Sequence, residues 1–293
     1  MSTVDPIAAR RAKRLRRAGQ PKVLAGAVAA GIAQLGAGVC FGVSIGILVE
    51  FMRSDVTNSV FADQDPGMDG FLGLATMPVM FIAGTFGLVV FAAVTRHLID
   101  LYRGGEKQPI VQFPATLWAI AAGVTGSALS WEDPADVGIK VDPVFHHDQT
   151  WSTFGWVMYR ADIWLPALAV VIAVLATLYA IKHNRRLRTQ IAERNRLLTA
   201  GRKVPGEITN VAVRTSQNDQ GQRSVVGAEV VVKFTDLQGT DRWVTRQARD
   251  RSAIPTVSTA LVLFDPQRPD ADDLIFVSFT PDPLPGDWIG TIA

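Results

Sequence analysis

One cysteine and four histidines in 293 residues leave no material for a disulfide framework or a Cys-rich zinc module. Charge is scarce too. Only 19% of residues are Asp, Glu, Lys or Arg and the net charge is +2, which excludes a disordered acidic or basic tail. The sequence also lacks a phosphate-cradling Gly loop, an HExxH pair, a CxxC pair and a nucleophile elbow. No motif specifies a reaction, so the chain reads as non-enzymatic, with no catalytic residue and no cofactor assigned.

Apolar sequence is abundant instead. Hydrophobic residues make up 48% of the chain, and the mean hydropathy is +0.20. A helix needs about 20 apolar residues to cross a ~30 Å hydrocarbon layer. Four runs free of Asp, Glu, Lys, Arg and His approach or exceed that length: Val23 to Val49, Phe71 to Thr95, Phe113 to Trp131, and Ile163 to Ile181. The third is rich in Gly and Ala and has Pro114 near its start, which fits a buried or tilted span.

The basic residues beside these runs are partitioned, and translocation leaves positive charge on the cytoplasmic side. Arg10, Arg11, Lys13, Arg14, Arg16, Arg17 and Lys22 precede the first run. Arg96, Arg103 and Lys107 separate the second from the third, and Lys182, Arg185, Arg186, Arg188, Arg194 and Arg196 follow the fourth. The other two connections hold only Arg53, Lys140 and Arg160. They carry acids instead: Asp55, Asp63, Asp65 and Asp69 in one, and Glu132, Asp133, Asp136, Asp142, Asp148 and Asp162 in the other. The pattern predicts a multi-pass protein of a bacterial plasma membrane with both termini cytoplasmic. The first run is too long for a cleaved signal peptide and reads as a retained anchor.

Within the first run Gly38, Gly42 and Gly46 recur every four residues. Such a bare stripe lets helix backbones approach closely, within the bundle or between copies of the protein. The runs hold no ionisable group of the kind that pumps and proton-coupled transporters use. Gln34 and scattered hydroxyls are their polar content, and Glu50 lies at the interface. In the last outer connection His146, His147 and Asp148, with Asp142 upstream, are the one grouping of metal-ligating types. Adjacent side chains of an extended segment point to opposite faces, so the expectation is no metal site. The aromatics Trp131, Trp151, Trp156 and Tyr159 fit an interfacial belt.

After Ile181 a basic helix carries Leu187, Ile191 and Leu198 on one face and stops at Gly201. From Val204 the period changes to two, with strands expected over Glu207 to Arg214, Val225 to Thr235, Arg242 to Gln247, Ala260 to Phe264 and Leu274 to Phe279. Five short antiparallel strands suggest a small curled sheet or barrel, OB-like or SH3-like. The fold class is therefore α+β: a four-helix transmembrane bundle followed by a small β domain. The divisions are a basic arm (1–22), the spans (23–181), a helical extension (182–201), the β domain (202–280) and a tail (281–293).

Three stretches of the β domain, VPGEITNV (Val204 to Val211), VVVKFTDLQG (Val230 to Gly239) and LVLFDPQRPDADDLIF (Leu261 to Phe276), resemble the bacterial DUF3592 family. The resemblance covers residues 204–279 and implies a β module of unknown function attached to membrane helices; it brings no catalytic residues. From Leu197 onward ten basic residues face twelve acidic ones, which argues against nucleic acid. Trp243 is expected as a core or rim residue. The expected partners are the lipid bilayer and a protein, or another copy of this chain, docked through the β domain. The alternative is a transporter or channel component regulated by that domain.

Overall fold

The computed structural model describes residues 15–59, 68–104, 106, 108–134, 136–217, 223–248, 254–255 and 258–291. Arg10, Arg11, Lys13, Arg14, Asp63, Asp65, Lys107 and the centre of the Ser216 to Ser224 loop lie outside the described residues. The chain divides into two compact units. One comprises Met1–Arg103 and Ile110–Lys182, the other Gly104–Pro109 and His183–Ala293.

The first unit is helical. Helix α1 is Pro21–Thr57, α2 Met68–Arg103, α3 Gln112–Ala128, α4 Thr153–Tyr159, and α5 Ala161–Ala200, whose last turns belong to the second unit. A two-residue ribbon, β1 (Ile139–Lys140) with β2 (Gln149–Thr150), precedes α4. Among the described residues three helices, α1, α2 and α5, are long and apolar enough to cross a membrane. Their outward residues are apolar, as lipid-facing surfaces are: Ile82, Phe86, Leu175 and Leu178 are all exposed.

The third predicted run, expected as a buried or tilted span, is not among the helices long and apolar enough to cross a membrane. Helix α3 has 17 residues, about 26 Å at 1.5 Å per residue, short of a ~30 Å core. It ends early because the Ser130 amide turns back to Ser127 O (3.0 Å) and Trp131 to Ala128 O (3.4 Å), tightening the chain out of the α-helix. Helix α5 is unbroken from the fourth apolar run through the basic extension.

The second unit is built on a five-stranded antiparallel sheet. Its strands are β3 (Arg202–Gln217), β4 (Arg223–Thr235), β5 (Asp241–Ala248), β6 (Thr259–Phe264) and β7 (Phe276–Ser278), in the spatial order β5-β4-β3-β6-β7. Among the described residues no ladder joins β5 to β7, so the sheet is curled but open. Of the two expected forms, curled sheet and barrel, the described strands show the curled sheet.

Strand β3 makes the curl by changing partners along its length. Arg202–Glu207 pair with β6, and Gly206 through Gln217 pair with β4. Pro205 lies where only β6 is alongside, so its missing N–H costs no bond to β4. At the crease, a Cβ on Gly206 would stand 2.7 Å from Val232 Cγ1 and 2.9 Å from Val262 Cγ2, both fully buried. The two wings then face each other across one core, with the Phe234 and Phe264 rings 5.4 Å apart among Val230, Val244, Ile275 and Val277. Gly206→Ala is expected to destabilise the β module by about 1–3 kcal/mol through overpacking. An unchanged midpoint in thermal unfolding of the full chain would contradict the crease.

Strands β6 and β7 are buried on both faces, which is why LVLF is a continuous apolar run rather than an alternating one. Val262 and Phe264 enter the sheet core, while Leu263 and Phe276 face a second cluster with Leu197, Leu274 and Trp288. That cluster docks the end of α5 on the sheet. It also draws in the expected tail, since Ile289 bridges Val277 and Trp288 is buried. The β unit therefore runs past residue 280.

Candidate functional site

Gly38, Gly42 and Gly46 line the face of α1 that meets α3. Cβ atoms there would meet Ala119 Cβ at 3.0 Å, the Ile120 carbonyl oxygen, and Ser127 Cβ, respectively. Gly123 of α3 returns the approach, its Cβ position colliding with the Val39 carbonyl oxygen. Gln34 donates to Thr116 Oγ1 (2.8 Å) beside this crossing.

His146, His147 and Asp148 follow a turn at residues 143–145. His146 adopts φ 51° and its amide donates to Asp142 O (3.0 Å). The Asp142 carboxylate accepts from the amides of Val144 and Phe145, and Asp148 Oδ1 accepts from the Asp142 amide at 2.9 Å. Both carboxylates thus hold backbone. Among the described residues no group of three or more His, Cys, Asp and Glu side chains is arranged to hold a metal.

The basic extension is not one uniform patch. Arg185, Arg186 and Arg188 are exposed, but Arg194 is buried and bound to Glu106 Oε1 (3.2 Å), and Arg196 is bound to Glu193 and Asp265 (2.8 and 2.9 Å). The Arg196 guanidinium, and after it the Gln267 amide, hold the Asp265 carboxyl below the usual carboxylate range.

On the sheet's outer face Trp243 is 60% exposed on edge strand β5, which corrects the core half of its reading. It sits directly across from Lys233, whose Nζ lies 5.6 Å from the Trp243 ring and 2.6 Å from Asp241. The hydrogen bond between them raises the Lys233 pKa and lowers that of Asp241. Leu237, in the β4–β5 turn closed by the Asp236 carboxylate, is exposed too.

A further site was not anticipated. Arg53, three residues after Glu50 near the end of α1, is only 4% exposed. Its Nη1 donates to Glu132 O (2.8 Å), Nη2 stands 3.7 Å from Asp133 Oδ1, and the guanidinium lies 5.7 and 5.8 Å from the Trp131 and Tyr159 rings. Its buried Nε has no hydrogen-bond partner. The frame around it is fixed by two buried bonds: Trp151 Nε1 donates to Thr57 O (2.9 Å) and Thr57 Oγ1 to Arg53 O (2.8 Å). A cavity of about 80 Å³ is lined by Glu50, Arg53, Ser54, Thr57, Asn58 and Glu132. Its signal in the sequence is a lone arginine shortly after an apolar run, among acids and aromatics.

Comparison with family models, curated proteins and solved structures finds no match to this chain.

Proposed function

We propose that this chain is a multi-pass membrane protein that presents its β module in the cytoplasm as a non-enzymatic docking element for a protein partner or a second copy of itself. Four crossings are proposed, with α3 as a short one shielded by α1. Contacts at the helix ends support that alternation. The Gly19 amide, before α1, donates to Tyr102 O at the end of α2 (2.9 Å), whereas the other end of α1 meets Glu132 and Trp151. Glu106, from the α2–α3 connection, meets Arg194 within the β unit. These pairings suit the charge partition, which assigns the first group to the cytoplasm of a bacterial cell.

The observation that carries the docking role is Trp243. A large aromatic exposed on an unpaired edge strand is what an interface anchor looks like in the free protein, since aromatics are enriched at the centres of interfaces. The DUF3592 relationship is retained as part of the proposal. Its support is that the three resembling stretches supply the crease of β3, the end of β4 with the turn after it, and the segment from β6 to the start of β7.

Placing a photoactivatable phenylalanine at position 243 of the full chain in native membranes should give protein adducts that map to one defined peptide. The same group at exposed Asp273 should not. Adducts with lipid alone, or equal adducts at both positions, would reject the docking role.

A further inference from the structure

We propose that the Arg53 cavity binds a compact zwitterion, its oxyanion on Arg53 and its ammonium on Glu50. Three observations converge on this reading. First, a guanidinium offers five N–H donors, yet Arg53 makes one hydrogen bond, to Glu132 O, and a 3.7 Å contact to a carboxylate whose side chain is 93% exposed. A charge buried with Nε unpartnered is costly unless a further acceptor satisfies it. Second, Glu50 is half-buried in the same wall one turn earlier, so the cavity presents both signs of charge at adjacent positions. A simple anion would meet the Glu50 carboxylate and a metal ion would meet the guanidinium; a zwitterion satisfies both. Third, about 80 Å³ exceeds the roughly 10–15 Å³ that one water requires. It suits a group of a few heavy atoms, such as phosphoethanolamine or a small amino acid.

Position selects between sources. Glu50 directly follows the apolar run ending at Val49, and Arg53 lies against the rings of Trp131 and Tyr159, the aromatic types that settle at headgroup depth. The expected ligand is therefore the phosphoethanolamine headgroup of a membrane lipid, with the free small zwitterion as the other source of the same chemistry.

The test is native mass spectrometry of the purified full chain with phosphatidylethanolamine, phosphatidylcholine and phosphatidylglycerol, alongside thermal-shift titration with free phosphoethanolamine and glycine. The wild type should retain phosphatidylethanolamine at least tenfold better than the other two. Phosphatidylcholine lacks an N–H for Glu50 and phosphatidylglycerol lacks the ammonium. Glu50→Gln, which keeps shape and polarity, should erase the preference over phosphatidylcholine, and Arg53→Gln should remove retention of all three. A shift with the free zwitterions and no lipid preference, lost in Glu50→Gln, would assign the site to the soluble source and uphold the chemistry. Equal retention of the three lipids with no response to free zwitterion, unchanged in a Glu50→Gln protein that melts like the wild type, would overturn it. None of these readouts depends on Trp243, so this inference and the docking role fail separately.

Discussion

Arg246→Met is expected to weaken the β module by about 3 kcal/mol, the scale of removing one partner from a buried charged network. The module's core is enclosed by a sheet whose edges, β5 and β7, are joined by no ladder among the described residues, and Arg246 spans the seam between them. It lies on β5 and is 2% exposed, and it reaches the segment entering β7. There Nη1 donates to Asp272 Oδ1 (2.9 Å), and Nη2 to the carbonyls of Asp272 (2.6 Å) and Ile275 (2.7 Å). Burial lowers the Arg246 pKa, and the Asp272 hydrogen bond opposes that shift. Methionine fills similar space but leaves the buried Ile275 carbonyl without its guanidinium donor, at roughly 1–3 kcal/mol, while Asp272 O keeps only the longer bond from the Ile275 amide (3.3 Å). For a domain of this size the melting temperature should fall by about 12–24 °C. Asp272→Asn should cost less than about 1 kcal/mol, because the Asp272 side chain is 64% exposed and its charge is screened. Hydrogen exchange supplies the spatial check: amides of β5 and β7 should lose protection together in Arg246→Met, ahead of those in β3. A melting temperature within a few degrees of the wild type would remove Arg246 as the clasp.

That clasp marks where the sequence stopped being legible. Period two located the five strands; four alternate or run apolar against the core, and β3 does so only as far as Ile208, while Gln238-Gly239 marked the β4–β5 turn, where Gly239 has φ +82°. The order of strands and the open seam depend on pairings between segments far apart in sequence, and no local period encodes them. In the sequence nothing sets Arg246 apart from the other polar residues of its strand. Only its register opposite Val230 puts it on the buried face. Similarly, Leu187 and Leu198 announced a helical face, but the buried Arg194 between them is intelligible only once Glu106 is beside it. The Arg53 site follows the same logic. Its partners come from α1, the segment after α3, and α4, so spacing along the chain carries no sign of it. Burial and an unpaired Nε identify it.

Gly42→Leu is expected to prevent α1 and α3 from packing, with a loss above about 3 kcal/mol, the upper range for overpacking. Even the first carbon of the new side chain would collide with the Ile120 carbonyl oxygen and lie 3.0 Å from the Val124 amide nitrogen. These are backbone atoms held in a helix, and they cannot rotate aside as a side chain does. The same substitution at Gly36, where nothing lies within 4 Å of the Cβ position, should be nearly neutral. Gly38→Ala should fall between them, because its neighbour at 3.0 Å is the Ala119 methyl group. Size-exclusion profiles and melting of the full chain in detergent measure the series. The paired variants discriminate further. Gly123 meets the Val39 carbonyl from the opposite side of the same crossing, so Gly42→Ala and Gly123→Ala both push the two helices apart. Once one has done so the other has room, and the double variant should cost clearly less than the sum of the singles, as neighbours sharing one displacement do. If the glycine stripe instead served contact between copies of the chain, Gly42→Leu would change the oligomeric state and leave the monomer's melting unmoved. That result would reassign the stripe from the α1–α3 crossing to a homo-oligomer face.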